Sequence, residues 1–191
     1  MPNQFDILIK NAKLRGSESL TDIGIAGGKI KRKKKGLGGE AGVTVDAEAN
    51  LVTESFVNPH LHLCKVYTLQ MMDEDALTAY QGEGMGKAMN AIELAARVKE
   101  KYDKAWIIEN ARKAVTQAAR FGNTHIRAFA DVDSKARLEG VKALIRAREE
   151  FKGIVEIQVV AFAQDGWVRE RGTDKLMREA MELGADVVGG I

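Results

Sequence analysis

From Leu51 onward, short apolar segments alternate with longer amphipathic ones, and few folds accommodate this pattern. The apolar segments are rich in β-branched residues, and the amphipathic segments have helical spacing. The predicted strands after the first cover about 123–133, 154–162 and 185–191. The predicted helices cover about 87–102, 105–121, 134–150 and 174–183. This pattern predicts an α/β fold, with a parallel sheet and helices outside it.

Four such units fit either a small open sheet or half of a (β/α)8 barrel. The last apolar strand, 185–191, has no helix after it, and a buried-type strand at an open edge is unfavourable. We therefore expect the first half of a barrel, within the front part of a longer protein. Two helix boundaries are predicted from single residues, Ser134 as an N-cap and Gly122 as the glycine after a helix.

Residues 1–55 read differently, as short strands of a small β-sheet segment. Gly27-Gly28 between two apolar stretches predicts a hairpin. The basic run at 29–35 is predicted to be a solvated strand edge, whose lysines discourage edge-to-edge pairing, in preference to an anion-binding patch. The predicted domains are thus 1–55, the sheet segment, and 56–191, four β/α units of an incomplete barrel.

Composition excludes several classes of protein. A net charge of +2 is too small to argue for nucleic acid as a partner. The single cysteine excludes an internal disulfide and fits a reducing compartment. No apolar run approaches the roughly 20 residues of a membrane helix, and the N-terminus lacks signal-peptide character. We expect a cytoplasmic protein that contacts no membrane.

Residues 56–65, FVNPHLHLCK, hold two of the three histidines, one residue apart. Because side chains alternate along a strand, His60 and His62 are predicted to point to the same face. Two imidazoles on one face, at the end of a strand, can share one divalent ion. The pair is therefore a candidate metal site.

Four segments in series resemble barrel strands of the amidohydrolase superfamily, most closely its cytosine deaminase branch: FVNPHLHLCKVYT, GNTHIRAFADVD, VEIQVVAFAQDG and ELGADVVGGI. The resemblance covers nearly the whole chain and implies a metal-dependent (β/α)8 TIM-like barrel, with a small β-sandwich segment before it. It implies that His60 and His62 bind one divalent ion, zinc or iron(II), and that Gln158 hydrogen-bonds a pyrimidine ring. The other metal ligands and the catalytic groups are expected beyond Ile191.

The activity implied is hydrolytic deamination of a cytosine-like base, cytosine or isocytosine, in which metal-activated hydroxide attacks the ring carbon that bears the amino group. Two alternatives stay open. One is a triazine N-alkyl amidohydrolase of the same superfamily, and the other is a non-catalytic half-barrel subunit. The expected partners are a small aminopyrimidine or triazine substrate, further copies in a homo-oligomer, and the remainder of the barrel.

Cys64 stands where members of the family commonly have an aspartate. It is interpreted either as a substrate-binding residue or as a small buried side chain that fills space. Asp131 and Asp133 share a strand face at a strand's carboxyl end, and we predict a role at the helix entry or in support of a ligand. His125, early in its strand, is predicted to be structural.

Overall fold

The computed structural model of the protein describes residues 4–71 and 97–191. The chain divides into two compact units, Met1–Glu54 and Ser55–Ile191. None of the helices in the described ranges has the length and apolar character needed to span a bilayer.

The first unit is a four-stranded sheet. Its strands are β1 (Phe5–Lys13), β2 (Leu20–Ala26), β3 (Lys29–Lys34) and β4 (Ala41–Asp46), in the order β3-β2-β1-β4. β2 is antiparallel to β1 and β3, whereas β4 is parallel to β1. Gly27 and Gly28 join β2 to β3 with φ values of 58° and 68°, as the predicted hairpin requires. After β4, one isolated bridge joins Lys13 and Leu51.

Every residue of β3 is exposed, and the strand lies at one edge of this sheet. The basic run therefore forms a solvated edge, as predicted. Gly24 of β2 leaves room for the ring of Phe5 in β1, because a Cβ at Gly24 would lie 2.5 Å from that ring. Phe5, Leu8 and Leu37 form the small core of the unit.

One buried carboxylate ties this sheet together. The side chain of Asp22 accepts hydrogen bonds from the Lys10 ammonium (2.8 Å) and from the backbone N–H groups of Asn11 (2.9 Å) and Leu37 (2.8 Å). Burial alone would raise the pKa of Asp22, but the bond from Lys10 and the two backbone donors outweigh it and hold the pKa below its ordinary value.

The second unit contains a parallel sheet in the order β5-β6-β7-β8. Its strands are β5 (Phe56–Leu61), β6 (Asn123–Asp131), β7 (Glu156–Ala163) and β8 (Val187–Gly190), and its helices are α1 (Lys104–Arg120), α2 (Glu139–Glu150) and α3 (Thr173–Glu182). Two short 3-10 turns, Leu63–Lys65 and Thr68–Met71, follow β5. The predicted parallel sheet with intervening helices is therefore present.

The two faces of this sheet differ in chemistry. Ile126, Ala128 and Ala130 of β6 are buried in one hydrophobic core with residues of α1 and α2. Alternate residues of the same strand point the other way, and we call the face that carries Arg127, Phe129 and Asp131 the site face.

The two helix boundaries predicted from single residues can be compared with the structure. Gly122 follows α1 with a φ of 80°, as predicted. The helix predicted from Ser134 begins only at Glu139, because the Asp133 carboxylate accepts the N–H groups of Lys135 (3.0 Å) and Ala136 (2.8 Å) and closes a separate turn. The N-cap assignment of Ser134 was therefore wrong. Most of the predicted helix at 87–102 lies outside the described residues.

Candidate active site

The histidine pair lies where β5 ends. The imidazole centroids of His60 and His62 are 5.1 Å apart. The His60 ring stacks on Phe129 with a centroid distance of 4.2 Å, and the His62 ring lies 5.4 Å from that of Phe129. Both imidazoles therefore lie against the site face of the sheet.

The geometry of the pair fits one divalent ion. Two imidazoles on a tetrahedral ion, with Zn–N distances of about 2.0 Å, have ring centroids about 5 Å apart. His62 Nδ1 lies 3.2 Å from Asp131 Oδ1, so that Nε2 is the nitrogen left for a metal. The donor set supplies two of the three protein ligands that an open catalytic site usually has.

Asp131 is the last residue of β6 and is completely buried. Lys65 Nζ donates to its Oδ2 at 2.9 Å, and the backbone N–H of Asp131 donates to Cys64 Sγ at 3.3 Å. Burial would raise the pKa of Asp131, but the hydrogen bond with His62 and the charges of Lys65 and Lys99 outweigh it and lower the pKa. The carboxylate is thus ionised beside the candidate metal ligand.

Lys65 and Gln164 join this group, although sequence reasoning assigned neither to the site. Lys65 Nζ donates to Gln164 Oε1 at 3.1 Å while it contacts Asp131. An ammonium can only donate, so the amide oxygen of Gln164 faces Lys65 and its NH2 group is directed elsewhere. Gln164 directly follows β7, and Lys65 lies on the 3-10 turn after β5. A position just beyond the carboxyl end of a strand is the signal that could have identified them.

A second cluster centres on Lys99, which is 3% exposed. Its ammonium donates to Asp133 Oδ2 (2.8 Å) and Asp165 Oδ1 (2.9 Å) and lies 3.8 Å from Asp131 Oδ2. Burial would lower the pKa of Lys99, but its bonds to the two carboxylates raise it. Asp133 and Asp165 also form, with Glu170, an acidic group with oxygens within 4.8 Å of one another, and Lys99 supplies a positive charge to that group.

The structure places Gln158 away from the histidine pair along β7. Its side chain is exposed, and its Oε1 accepts from Arg127 Nε at 2.7 Å. Gln158 is on the strand six residues before Gln164, and its role as a substrate contact stays a prediction. His125 is exposed near the start of β6, where its Nδ1 lies 2.9 Å from the Thr124 hydroxyl.

Cys64 is buried in the core of the second unit. Its Sγ lies 3.6 Å from the Tyr102 hydroxyl. A Cβ added at Gly140 would lie 3.0 Å from the Cβ of Cys64. Burial, with the nearby charge of Asp131, raises the pKa of the thiol to about 12. This environment supports the interpretation of a neutral side chain that fills space, and the thiol contacts the candidate site through the backbone N–H of Asp131.

The described part of the second unit thus has the architecture of half of an α/β barrel, with an H-x-H pair, a candidate metal site, at the carboxyl end of its first strand. The chain is 31% identical over all 191 residues to an N-isopropylammelide isopropyl amidohydrolase from Pseudomonas sp. (strain ADP), of which it covers 46%. A 5-methylcytosine deaminase from Klebsiella pneumoniae, liganded with 5-fluorocytosine, matches 96% of this chain with a TM-score of 0.78 and 28% identity, over 43% of its own chain. No family model matches the chain.

A more distant neighbour shares the fold alone, an adenosine deaminase from Xanthomonas campestris with bound zinc, at 12% identity and a TM-score of 0.58. The relatives and structural neighbours are deaminases and amidohydrolases of the amidohydrolase superfamily, which confirms the resemblance to its cytosine deaminase branch. The predicted fold class, half of a TIM-like barrel after a sheet segment, is confirmed as well. The chain spans less than half the length of the relatives that it matches.

Proposed function

We propose that the chain is part of a metal-dependent hydrolase that deaminates a cytosine-like base, such as cytosine or isocytosine. The observation that carries the proposal is the spacing of His60 and His62, 5.1 Å between centroids, on the site face beside ionised Asp131. The named activities of the relatives, which act on a methylated cytosine and on an N-alkyl triazine, support the same chemistry at a C–N bond.

His60 and His62 would hold one divalent ion, zinc or iron(II), together with ligands from the remainder of the barrel. Such an ion, when bound, makes water a nucleophile at neutral pH. The chain's own residues orient what surrounds it. Phe129 packs against both imidazoles, and Phe162 meets the His62 ring edge-on at 5.4 Å, which limits the positions that these rings can take.

Two amide side chains, one on β7 and one just after it, are the proposed contacts for the ring of the substrate. We retain Gln158 in this role and add Gln164, because the contact of Gln164 with Lys65 brings its amide to the residues around His62. An amide can donate and accept, which suits a ring with adjacent N–H and C=O groups. Cys64 would act on the site indirectly, through its hydrogen bond with the Asp131 backbone.

A second candidate is hydrolysis of an N-alkyl group from a triazine ring. It is favoured by the 31% identity, over all 191 residues, to an N-isopropylammelide isopropyl amidohydrolase. For either activity we propose that the working protein is cytoplasmic, contains the remainder of the barrel and forms a homo-oligomer.

The test is to load the complete barrel protein with zinc or iron(II) and supply cytosine, 5-methylcytosine, isocytosine and N-isopropylammelide. Ammonia from a pyrimidine supports the first proposal, whereas isopropylamine from the triazine supports the second. If neither product appears with any of them, both proposals are wrong.

Matched variants then assign the residues. His60→Asn and His62→Asn should abolish turnover, whereas His125→Asn, an exposed histidine outside the pair, should keep it. Gln164→Leu and Gln158→Leu test the two amides separately. Replacement of the glutamine that binds the ring should raise KM strongly. Turnover of His60→Asn equal to that of His125→Asn would remove the histidine pair from the proposed mechanism.

A further inference from the structure

Asp131 has polar contacts from three different parts of the second unit. His62, just beyond β5, places Nδ1 3.2 Å from Oδ1. Lys65, on the 3-10 turn that follows, donates to Oδ2 at 2.9 Å, and the Lys99 ammonium lies 3.8 Å from the same oxygen. The Asp131 side chain is completely buried, whereas the His62 side chain is 23% exposed. The two lysines therefore hold the buried carboxylate in place, and the carboxylate contacts the candidate metal ligand His62.

The tautomer of a metal-binding imidazole depends on the partner of its other nitrogen. A neutral imidazole has one N–H and one bare nitrogen, and only the bare nitrogen can bind a metal. Lys65 donates to the Asp131 carboxylate and the Lys99 ammonium lies 3.8 Å from it, so the carboxylate acts as an acceptor. A neutral His62 therefore carries its proton on Nδ1 when it bonds Asp131. Nε2 is then bare, and the hydrogen bond also makes it a more basic ligand.

We propose that Asp131 is a positioning residue for the metal centre, which holds His62 as the Nδ1–H tautomer with Nε2 available, while Lys65 and Lys99 hold the carboxylate in place. This inference rests on the proposed function, because it gives His62 the role of a metal ligand. Asp131 itself does not contact the ion or the substrate in this scheme.

Asp133 provides a matched control. It is two residues further on, is 1% exposed, and is also bonded to a buried lysine, Lys99. Its second oxygen caps the turn at Lys135 and Ala136, so its contacts are with the helix entry. Replacing Asp133 perturbs the packing of the same region without removing the acceptor of His62.

The first measurement is zinc affinity of the complete barrel protein, by competition with a chromogenic chelator. Asp131→Asn should weaken zinc binding about 10- to 100-fold, the usual effect of removing an outer partner of a metal-binding histidine. Asp133→Asn should leave the dissociation constant within about threefold of wild type. Equal affinities for wild type and Asp131→Asn would overturn the inference.

The second measurement needs no variant, so it stands even if Asp131→Asn does not fold. Long-range 1H–15N spectra of the zinc-free wild-type protein distinguish the two neutral tautomers of each histidine. We expect His62 to be the Nδ1–H tautomer, and His62 as the Nε2–H tautomer would overturn the inference. If wild type binds no zinc at all, the proposed function fails; if it binds zinc and Asp131→Asn binds as tightly, the inference alone fails.

Discussion

Replacement of Lys99 by methionine should strongly destabilise the second unit. Methionine keeps most of the volume of the side chain and removes its charge. The Lys99 ammonium bonds Asp133 at 2.8 Å and Asp165 at 2.9 Å, and both Lys99 and Asp133 are almost wholly buried. Without it, Asp133 and Asp131 lose a counter-charge where water cannot replace it.

The expected loss in the free energy of unfolding follows from the burial of each partner of Lys99. Removing one member of a buried ion pair costs about 3 to 5 kcal/mol, because the other charge is left without compensation. The contact with Asp165 adds less, on the order of 1 kcal/mol, because that side chain is 33% exposed and partly solvated. We therefore expect a loss of at least about 3 kcal/mol, most of it through Asp133.

Native-state hydrogen exchange, resolved by peptide, measures this loss in β6 and β7. A change of about 3 kcal/mol accelerates exchange of the most protected amides somewhat more than a hundredfold, since about 1.4 kcal/mol is a factor of ten. Lys101→Met is the matched control, because Lys101 is exposed two positions further on, and it should change stability by less than about 0.5 kcal/mol. Equal exchange rates in the two variants would show that the buried Lys99 ammonium does not stabilise the second unit.

Two further predictions concern other buried groups. The pKa of Asp22 is lower in the folded protein than its unfolded value of 3.8. The carboxylate therefore stabilises the first sheet fully at pH values well above 3.8, and this stabilisation is lost as the pH falls through the folded pKa. Asp22→Asn should therefore speed amide exchange in β1 and β2 near neutrality and flatten its acid dependence; an unchanged acid profile would contradict this. Because burial raises the pKa of Cys64 to about 12, iodoacetamide at mildly alkaline pH should label it much faster in urea than in the folded protein, as mapped by mass spectrometry. Equal labelling rates would contradict the buried placement.

Features set by local sequence could be predicted. The Gly27-Gly28 hairpin depends on two adjacent residues, and the strands and helices of the second unit depend on periodicity within each segment. His60 and His62 are two residues apart, so strand geometry alone indicates that they share a face. These predictions need no knowledge of which segments meet in space.

Contacts between distant segments could not be predicted in this way. Lys99 meets Asp133 and Asp165 across 34 and 66 residues, and no strand motif surrounds it. One local prediction also failed: Ser134 has a residue type that suits an N-cap, but the neighbouring Asp133 accepts the N–H of Ala136 and closes a separate turn before the helix. Gln164 enters the candidate site through Lys65, which is 99 residues earlier in the chain.

The face that the histidine pair occupies depends on one irregularity in strand pairing. Asn58 pairs with Ile126, yet Leu61 pairs with Ala128, so Pro59 and His60 together lie opposite a single residue of β6. In a regular strand, residues 58, 60 and 62 would share the face of Ile126 and Ala128, which is packed against helices. The extra residue reverses that alternation, and it lies at a proline, which cannot donate to the ladder. The spacing of the histidines thus makes them a pair, but the irregular pairing at Pro59 puts the pair on the site face beside Asp131.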